Sequence, residues 1–171
     1  MKFFRRTLPT LRSGQSRAER DREATLYLLN EIFGDDITYT HRPSGAPLLY
    51  CHSRNHLISV SHSAATIAIA VAEDEKTLGI DVETYRPQLE RVKSKFMSED
   101  ESAIFTTPLD LLKVWTVKEA VYKAALTQGL PLNEIDCTHM CEGYATALGK
   151  RYTLTFPLVT QEETIAIAYI A

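Results

Sequence analysis

Two acids stand two residues apart in the apolar run TLGIDVET, residues 77–84. Side chains alternate along a strand, so Leu78, Ile80 and Val82 share one face while Asp81 and Glu83 share the other. Two carboxylates brought together beside a core repel each other and lose hydration. A hard divalent cation relieves both problems, and Mg2+ takes oxygen ligands while keeping room for water and phosphate. The competing reading is an edge strand whose polar face lies in water.

A second chemically unusual stretch is KVWTVKEAVYKAAL, residues 113–126, which places Glu119 and Lys123 one helical turn apart. Leu112, Trp115 and Leu126 fall within about 40° of Glu119 around the helix axis. Glu119 therefore lies in an apolar sector, and a buried acid needs a partner. Lys123 alone meets that need. A metal shared with Asp81 and Glu83 also meets it, and leaves Lys123 for phosphate. The third stretch is LISVSHSAAT, residues 57–66. Hydroxyls and an imidazole where a strand ends in Ser61-His62-Ser63 suit phosphate oxygens. A Ser/His nucleophile pair fits less well, because neighbours on a strand point to opposite faces and no nucleophile elbow is present.

The elements that must position these residues are legible. Ser16 and Glu19 form a capping box for a helix with Ala24, Leu28 and Ile32 facing inward and an end near Gly34. Strand-like runs follow at 37–40, 48–51, 57–61, 66–71 and 78–83, with Arg42-Pro-Ser-Gly-Ala-Pro47 as a loop. Residues 88–105 read as one or two helices with Ser98 as a cap. Thr107-Pro108-Leu-Asp110 starts a helix that carries Glu119 and Lys123 and is expected to end at Gly129. Two or three strands close the chain, with a hairpin turn at Gly149-Lys150. TIAIAVA at 66–72 is echoed by TIAIAYI at 164–170, which suggests two similar α/β halves meeting near residue 75.

The bulk properties narrow the classes. A chain of 171 residues, 44% apolar and 24% charged, fits one globular unit with a real core. A net charge of −3 gives no general reason to expect nucleic acid. Arginines crowd the first 22 residues, and Arg86, Arg91, Lys93 and Lys95 form a later basic run. Such runs are solvated faces or contacts for phosphates or an acidic partner. No 18-residue apolar run exists, and MKFFRRTLPTLRS is a poor signal peptide. Three sparse cysteines suggest a reducing, cytoplasmic setting. Cys137-Thr-His-Met-Cys141 lacks a convincing fourth ligand for zinc.

Together the three stretches resemble the 4'-phosphopantetheinyl transferase superfamily, in its longer form that activates acyl and peptidyl carrier proteins. ISVSHS resembles the family's asparagine-x-serine-histidine-serine segment. GIDVE at 79–83 resembles its glycine-isoleucine-aspartate-x-glutamate segment, and WTVKEAVYKA at 115–124 its tryptophan-x-x-lysine-glutamate-alanine-x-x-x-lysine helix. Asp81 and Glu119 are 38 residues apart, and the similarity is good over about residues 42–136.

The resemblance implies an α+β fold of two similar halves, 1–74 and 75–171, related by a pseudo-two-fold with the site between them. It implies that Asp81, Glu83 and Glu119 hold Mg2+ on the pyrophosphate of coenzyme A, with Lys123, His62 and Ser61 on its phosphate oxygens. Glu119 or Glu101 would take the proton of a carrier-protein serine. The acceptor is an acyl or peptidyl carrier protein and the by-product adenosine 3',5'-bisphosphate. A monomer is implied, with no nucleic-acid or membrane partner.

Two positions depart from the family. Ala46 stands where the family often has a lysine for the nucleotide, with Arg42 on the same loop as a substitute. Ser59 replaces the asparagine of the first motif. Arg17, Arg20 and Arg22 are further candidates for the nucleotide end. A metal-dependent nuclease would need lysine at 85, where Tyr85 stands. A non-catalytic protein that binds coenzyme A or a carrier protein on the same fold is the alternative function.

Overall fold

The computed structural model describes residues 1–171. The chain runs β1 (Lys2–Thr7), α1 (Arg17–Phe33), β2 (Ile37–His41), β3 (Pro47–Cys51), β4 (Arg54–His56), β5 (Ile58–His62) and β6 (Thr66–Val71). It continues with β7 (Thr77–Thr84), α2 (Gln88–Val92), α3 (Glu99–Ile104), α4 (Pro108–Ala125), β8 (Tyr144–Ala147), β9 (Lys150–Val159) and β10 (Glu163–Ile170). The fold is α+β with antiparallel strands in three sheets: β1-β6-β5, β2-β3-β4 and β7-β10-β9-β8. No helix is long and apolar enough to cross a membrane.

Strand alternation sorts the side chains into layers. In β6, Ile67, Ile69 and Val71 pack with Leu28 and Leu29 of α1, while Ala68 and Ala70 face the second sheet. There they meet Leu78, Ile80 and Val82 of β7 and Ile165 and Ile167 of β10. The opposite face of β10, Ala166 and Ala168, packs under α4 with Val117, Ala120, Val121 and Ala124. The order of layers is α1, sheet, sheet, α4. The two echoed segments are both central strands: β6 lies between β1 and β5, and β10 between β7 and β9.

Helix α4 approaches β7 as closely as it does because residue 79 has no side chain. A Cβ there would lie 1.9 Å from the Ala120 carbonyl oxygen and 2.6 Å from the Ala124 nitrogen. Asp81 and Glu83 share the Gly79 face, so this contact brings the helix carrying Glu119 and Lys123 over the acids.

The capping boxes at Ser16/Glu19, Ser98/Glu101 and Thr107/Asp110 all form, and Pro108 opens α4. Three expectations shift. Helix α4 ends at Ala125, with Leu126 rather than Gly129 in the left-handed capping conformation (φ +53°). The β8–β9 turn uses Leu148 and Gly149, both at positive φ as a two-residue hairpin turn requires, one residue earlier than expected. β1 was not expected, because its alternation is obscured by Arg5 and Arg6, yet it pairs along the whole of β6.

Gly79→Ala should destabilise the fold by about 3 kcal/mol, the upper part of the usual overpacking range, because backbone atoms must move. Urea unfolding of the two proteins measures it.

Candidate active site

β7 pairs with β10 on one side only, so its other edge carries free backbone groups. Side chains satisfy them. The Ile80 N–H donates to Ser59 Oγ at 3.0 Å and the Val82 N–H to Ser61 Oγ at 3.3 Å. Lys123 Nζ reaches from α4 to the Ile80 carbonyl at 3.0 Å. Both serines stand on the face of β5 opposite Ile58 and Val60, so strand alternation aims them at β7. Ser59, the departure from the family motif, is thus a seam residue.

Asp81 lies at the centre of this seam with 4% exposure. Its Oδ1 accepts from Ser61 Oγ at 2.8 Å and from Lys123 Nζ at 2.8 Å, while Lys123 also donates to Ser61 Oγ at 3.0 Å. Its Oδ2 is buried and has no partner. Glu83, on the same face of β7, accepts from the Trp115 indole N–H at 3.2 Å and from Arg86 at 3.2 Å. Glu119 is half-buried and forms no ion pair; the ammonium one turn along α4 goes to Asp81 instead. The Glu119 pKa is raised, chiefly by burial and then by Asp81 and Glu83, against the opposing effect of Lys123. The Glu83 pKa is raised by burial and by Asp81, with Trp115, Arg86 and Lys123 opposing.

Asp81 thus bears electrostatically on both Glu83 and Glu119, one ammonium offsets all three acids, and one buried carboxylate oxygen has no partner. An all-oxygen set with unrelieved repulsion and an orphaned acceptor fits a hard divalent cation. The set is not preassembled: no three His, Cys, Asp or Glu side chains form a ready-made metal cluster. Asp81 Oδ1 is turned to Ser61 and Lys123, and Glu83 is drawn to Trp115 and Arg86.

A cleft of about 440 Å3 runs from Lys123 outward. Arg42 and Ala46 of the β2–β3 loop, His56 of β4, Tyr122 of α4 and its cap Leu126 line it. Its size is that of a small-molecule site. Arg42 and Lys123 thus share one cavity, and Ala46 stands in its wall.

Two of the expected site residues lie elsewhere. His62 follows Ser61 on β5 and so turns to the opposite face, where Nε2 lies 2.9 Å from Thr25 Oγ1 of α1. The Thr25 hydroxyl donates to the Asp21 carbonyl, so the His62 ring is the donor in this contact. Burial lowers the His62 pKa, favouring the neutral imidazole. Glu101 is the clear correction. It is fully buried, its Oε1 pairs with Lys118 Nζ at 2.8 Å and accepts the Cys137 N–H at 2.7 Å, and its Oε2 accepts the Ser98 N–H. A carboxylate enclosed in this way has no route to a substrate proton, and Glu101 is a structural residue.

Among the other candidates, Arg20 is buried against Asp21 and the Ala64 carbonyl. The Cys137–Cys141 segment forms no metal site either. Cys137 is in the core with its thiol pushed far up by burial, and His139 pairs with Glu142. The bond from Trp115 to Glu83 is a site contact that the motifs did not point to. The signal was there: a half-buried indole N–H requires an acceptor, and Trp115 stands one turn before Glu119.

A model of the 4'-phosphopantetheinyl transferase superfamily matches residues 77–169, more than half of the chain. The chain belongs to this superfamily. The matched stretch opens with β7 and ends in β10, so it holds Asp81, Glu83, Glu119 and Lys123. Ser61, His62 and Arg42 lie outside it. No curated protein matches the chain. Superfamily membership makes the protein a transferase of the phosphopantetheine class and coenzyme A the substrate class to test in the cleft.

Charge balance gives two predictions of opposite sign for the metal-free protein. Glu83 and Glu119 have folded-state pKa values raised above the usual 4.5. The stability they allow below about pH 4.5 is lost as pH rises through those raised values. Glu119→Gln should therefore raise the melting temperature at pH 7 by about 2–4 °C, the shift expected of roughly 1 kcal/mol in a chain of this size. The gain should vanish below about pH 4.5, where the wild-type carboxyl is itself protonated. Lys123→Met should destabilise by about 3 kcal/mol, because it strands the buried Asp81 carboxylate. Thermal melts from pH 4 to pH 8 check both.

Proposed function

We propose that this protein transfers 4'-phosphopantetheine from coenzyme A to a serine of an acyl or peptidyl carrier protein, releasing adenosine 3',5'-bisphosphate. The observation that carries the proposal is the partnerless, buried Asp81 Oδ2, whose carboxylate is bonded to Lys123, a residue that lines a small-molecule cleft. In this reading Asp81, Glu83 and Glu119 hold Mg2+. The ion, when bound, neutralises charge on the pyrophosphate of the donor.

The chain's own groups do the rest. Lys123 keeps its ammonium at the seam through Asp81, Ser61 and the Ile80 carbonyl, and so presents a fixed cation to phosphate oxygens in the cleft it lines. Ser61 holds both Lys123 and Asp81 in place. Glu119 takes the proton of the attacking serine. It is half-buried and forms no ion pair of its own, so a carboxylate oxygen remains for the proton. Transfer is direct, with no enzyme-bound intermediate, and orientation and charge stabilisation supply the catalysis. Arg42, which lines the cleft, is assigned to the nucleotide end of the donor.

We read the chain as two halves, 1–74 and 75–171, related by a pseudo-two-fold and acting as a monomer. The central positions of β6 and β10 and the echo between them support this. The β5–β7 seam would then be the junction of the halves.

The test is mass spectrometry of apo-carrier proteins incubated with the protein, coenzyme A and Mg2+. The expected result is a gain of one phosphopantetheine, about 340 Da for this group transfer, lost in Asp81→Ala and Glu119→Ala. Coenzyme A binding without transfer to any carrier would contradict the proposal and favour a non-catalytic binding protein.

A further inference from the structure

Glu83 differs from the other two acids in being fully engaged. Trp115 holds Oε1 and Arg86 holds Oε2, each at 3.2 Å. Arg86 lies just past the end of β7, and its side chain is 56% exposed against 23% for Glu83. The guanidinium is therefore a surface group folded back onto a site acid. It also heads the exposed basic run Arg86, Arg91, Lys93 and Lys95. The last three have no carboxylate partner, and Glu90 is the one acid within the run. Buried Leu89 pins α2, which carries Arg91 and is followed directly by the helical turn that carries Lys93 and Lys95.

We propose that Arg86 is a latch on Glu83, opened by an acidic protein face that docks on Arg86, Arg91, Lys93 and Lys95. The inference rests on the reading of Asp81, Glu83 and Glu119 as a metal site. While closed, the latch occupies Oε2 and places a positive charge where a cation would bind. An exposed pair of this kind is weak and opens readily. Several carboxylates on a partner compete well for one guanidinium, which prefers planar, two-pronged acceptors. Docking then draws Arg86 away and frees Glu83 for the cation. Linkage makes the effect reciprocal: the partner tightens cation binding and the cation tightens partner binding by the same factor. The device would keep the site poorly loaded until its acidic partner is present.

The chain supplies its own reporter, because Trp115 is its single tryptophan and is bonded to Glu83. The experiment is a titration of Trp115 fluorescence in the full chain with MgCl2 at constant ionic strength. It uses wild type, Arg86→Ala and Glu83→Gln, with and without a glutamate-rich peptide as the acidic probe. Arg86→Ala should bind Mg2+ about two- to fivefold more tightly than wild type, the range set by an exposed ion pair. The peptide should tighten binding by wild type toward the Arg86→Ala value and leave Arg86→Ala unchanged. Glu83→Gln should blunt the Mg2+ response in either background, tying the signal to Glu83. Equal or weaker Mg2+ binding by Arg86→Ala overturns the latch, as does a peptide effect of the same size in both proteins. If the latch fails while carrier proteins still gain phosphopantetheine, the transferase reading stands alone. If no carrier is modified, that reading fails with it.

Discussion

The carboxylate of Asp81 sits where two sheets and a helix meet, and the surrounding structure is arranged around satisfying half of it. One oxygen receives Ser61 and Lys123, and the other receives nothing. A buried carboxylate left without its ammonium would be costly, so Lys123 and hence α4 are tied to this point. The serines that hold Asp81 and the backbone of β7 also tie in β5, and with it the first sheet. One group thus ties β5, β7 and α4 together and keeps one buried carboxylate oxygen without a partner.

The cost of that arrangement falls on the metal-free protein. Glu83 and Glu119 are drawn beside Asp81 into partial burial, where each is disfavoured as an anion. Such frustration is expected where chemistry requires it, and the fold absorbs it through unstrained elements elsewhere. Three helices carry complete capping boxes, the α1 and α4 layers are closely packed, and a fully enclosed Lys118–Glu101 pair locks α4 to the segment leading to Cys137. That pair explains why two adjacent residues of α4 have different fates. Lys118 points into the core cluster, and Glu119, 100° further round, faces the seam.

Much of this was legible in the residues. The period-two pattern in TLGIDVET placed Asp81 and Glu83 on one face, and the helical wheel put Glu119 in a half-buried sector; the structure agrees on both. The same alternation, applied strictly to Ser61-His62, separates the serine from the histidine, which the motif had grouped. What the sequence could not convey was three-dimensional adjacency. Nothing local shows that Gly79 is the point where α4 touches β7, or that Ser59 and Ser61 stand in for a missing neighbour strand. Glu101 misled for a related reason. An acid three residues after a serine cap reads equally as a cap partner or as a surface acid near a site, and only tertiary contact with Lys118 and Cys137 decides between them. β1 was hidden because its two arginines break the alternation on a strand whose paired residues in β6 lie 59 to 69 positions away.

The central claim is that the open position at Asp81 Oδ2 is a metal site completed by Glu83 and Glu119. Crystals grown with Mn2+ and coenzyme A, with the anomalous signal of manganese mapped, test it most directly. The account predicts one peak at about 2.0–2.3 Å from Asp81 Oδ2, the range of oxygen-ligated ions of this size, with carboxylate oxygens of Glu83 and Glu119 in the same shell. A strong peak elsewhere, or none at the seam while coenzyme A fills the cleft, would contradict it.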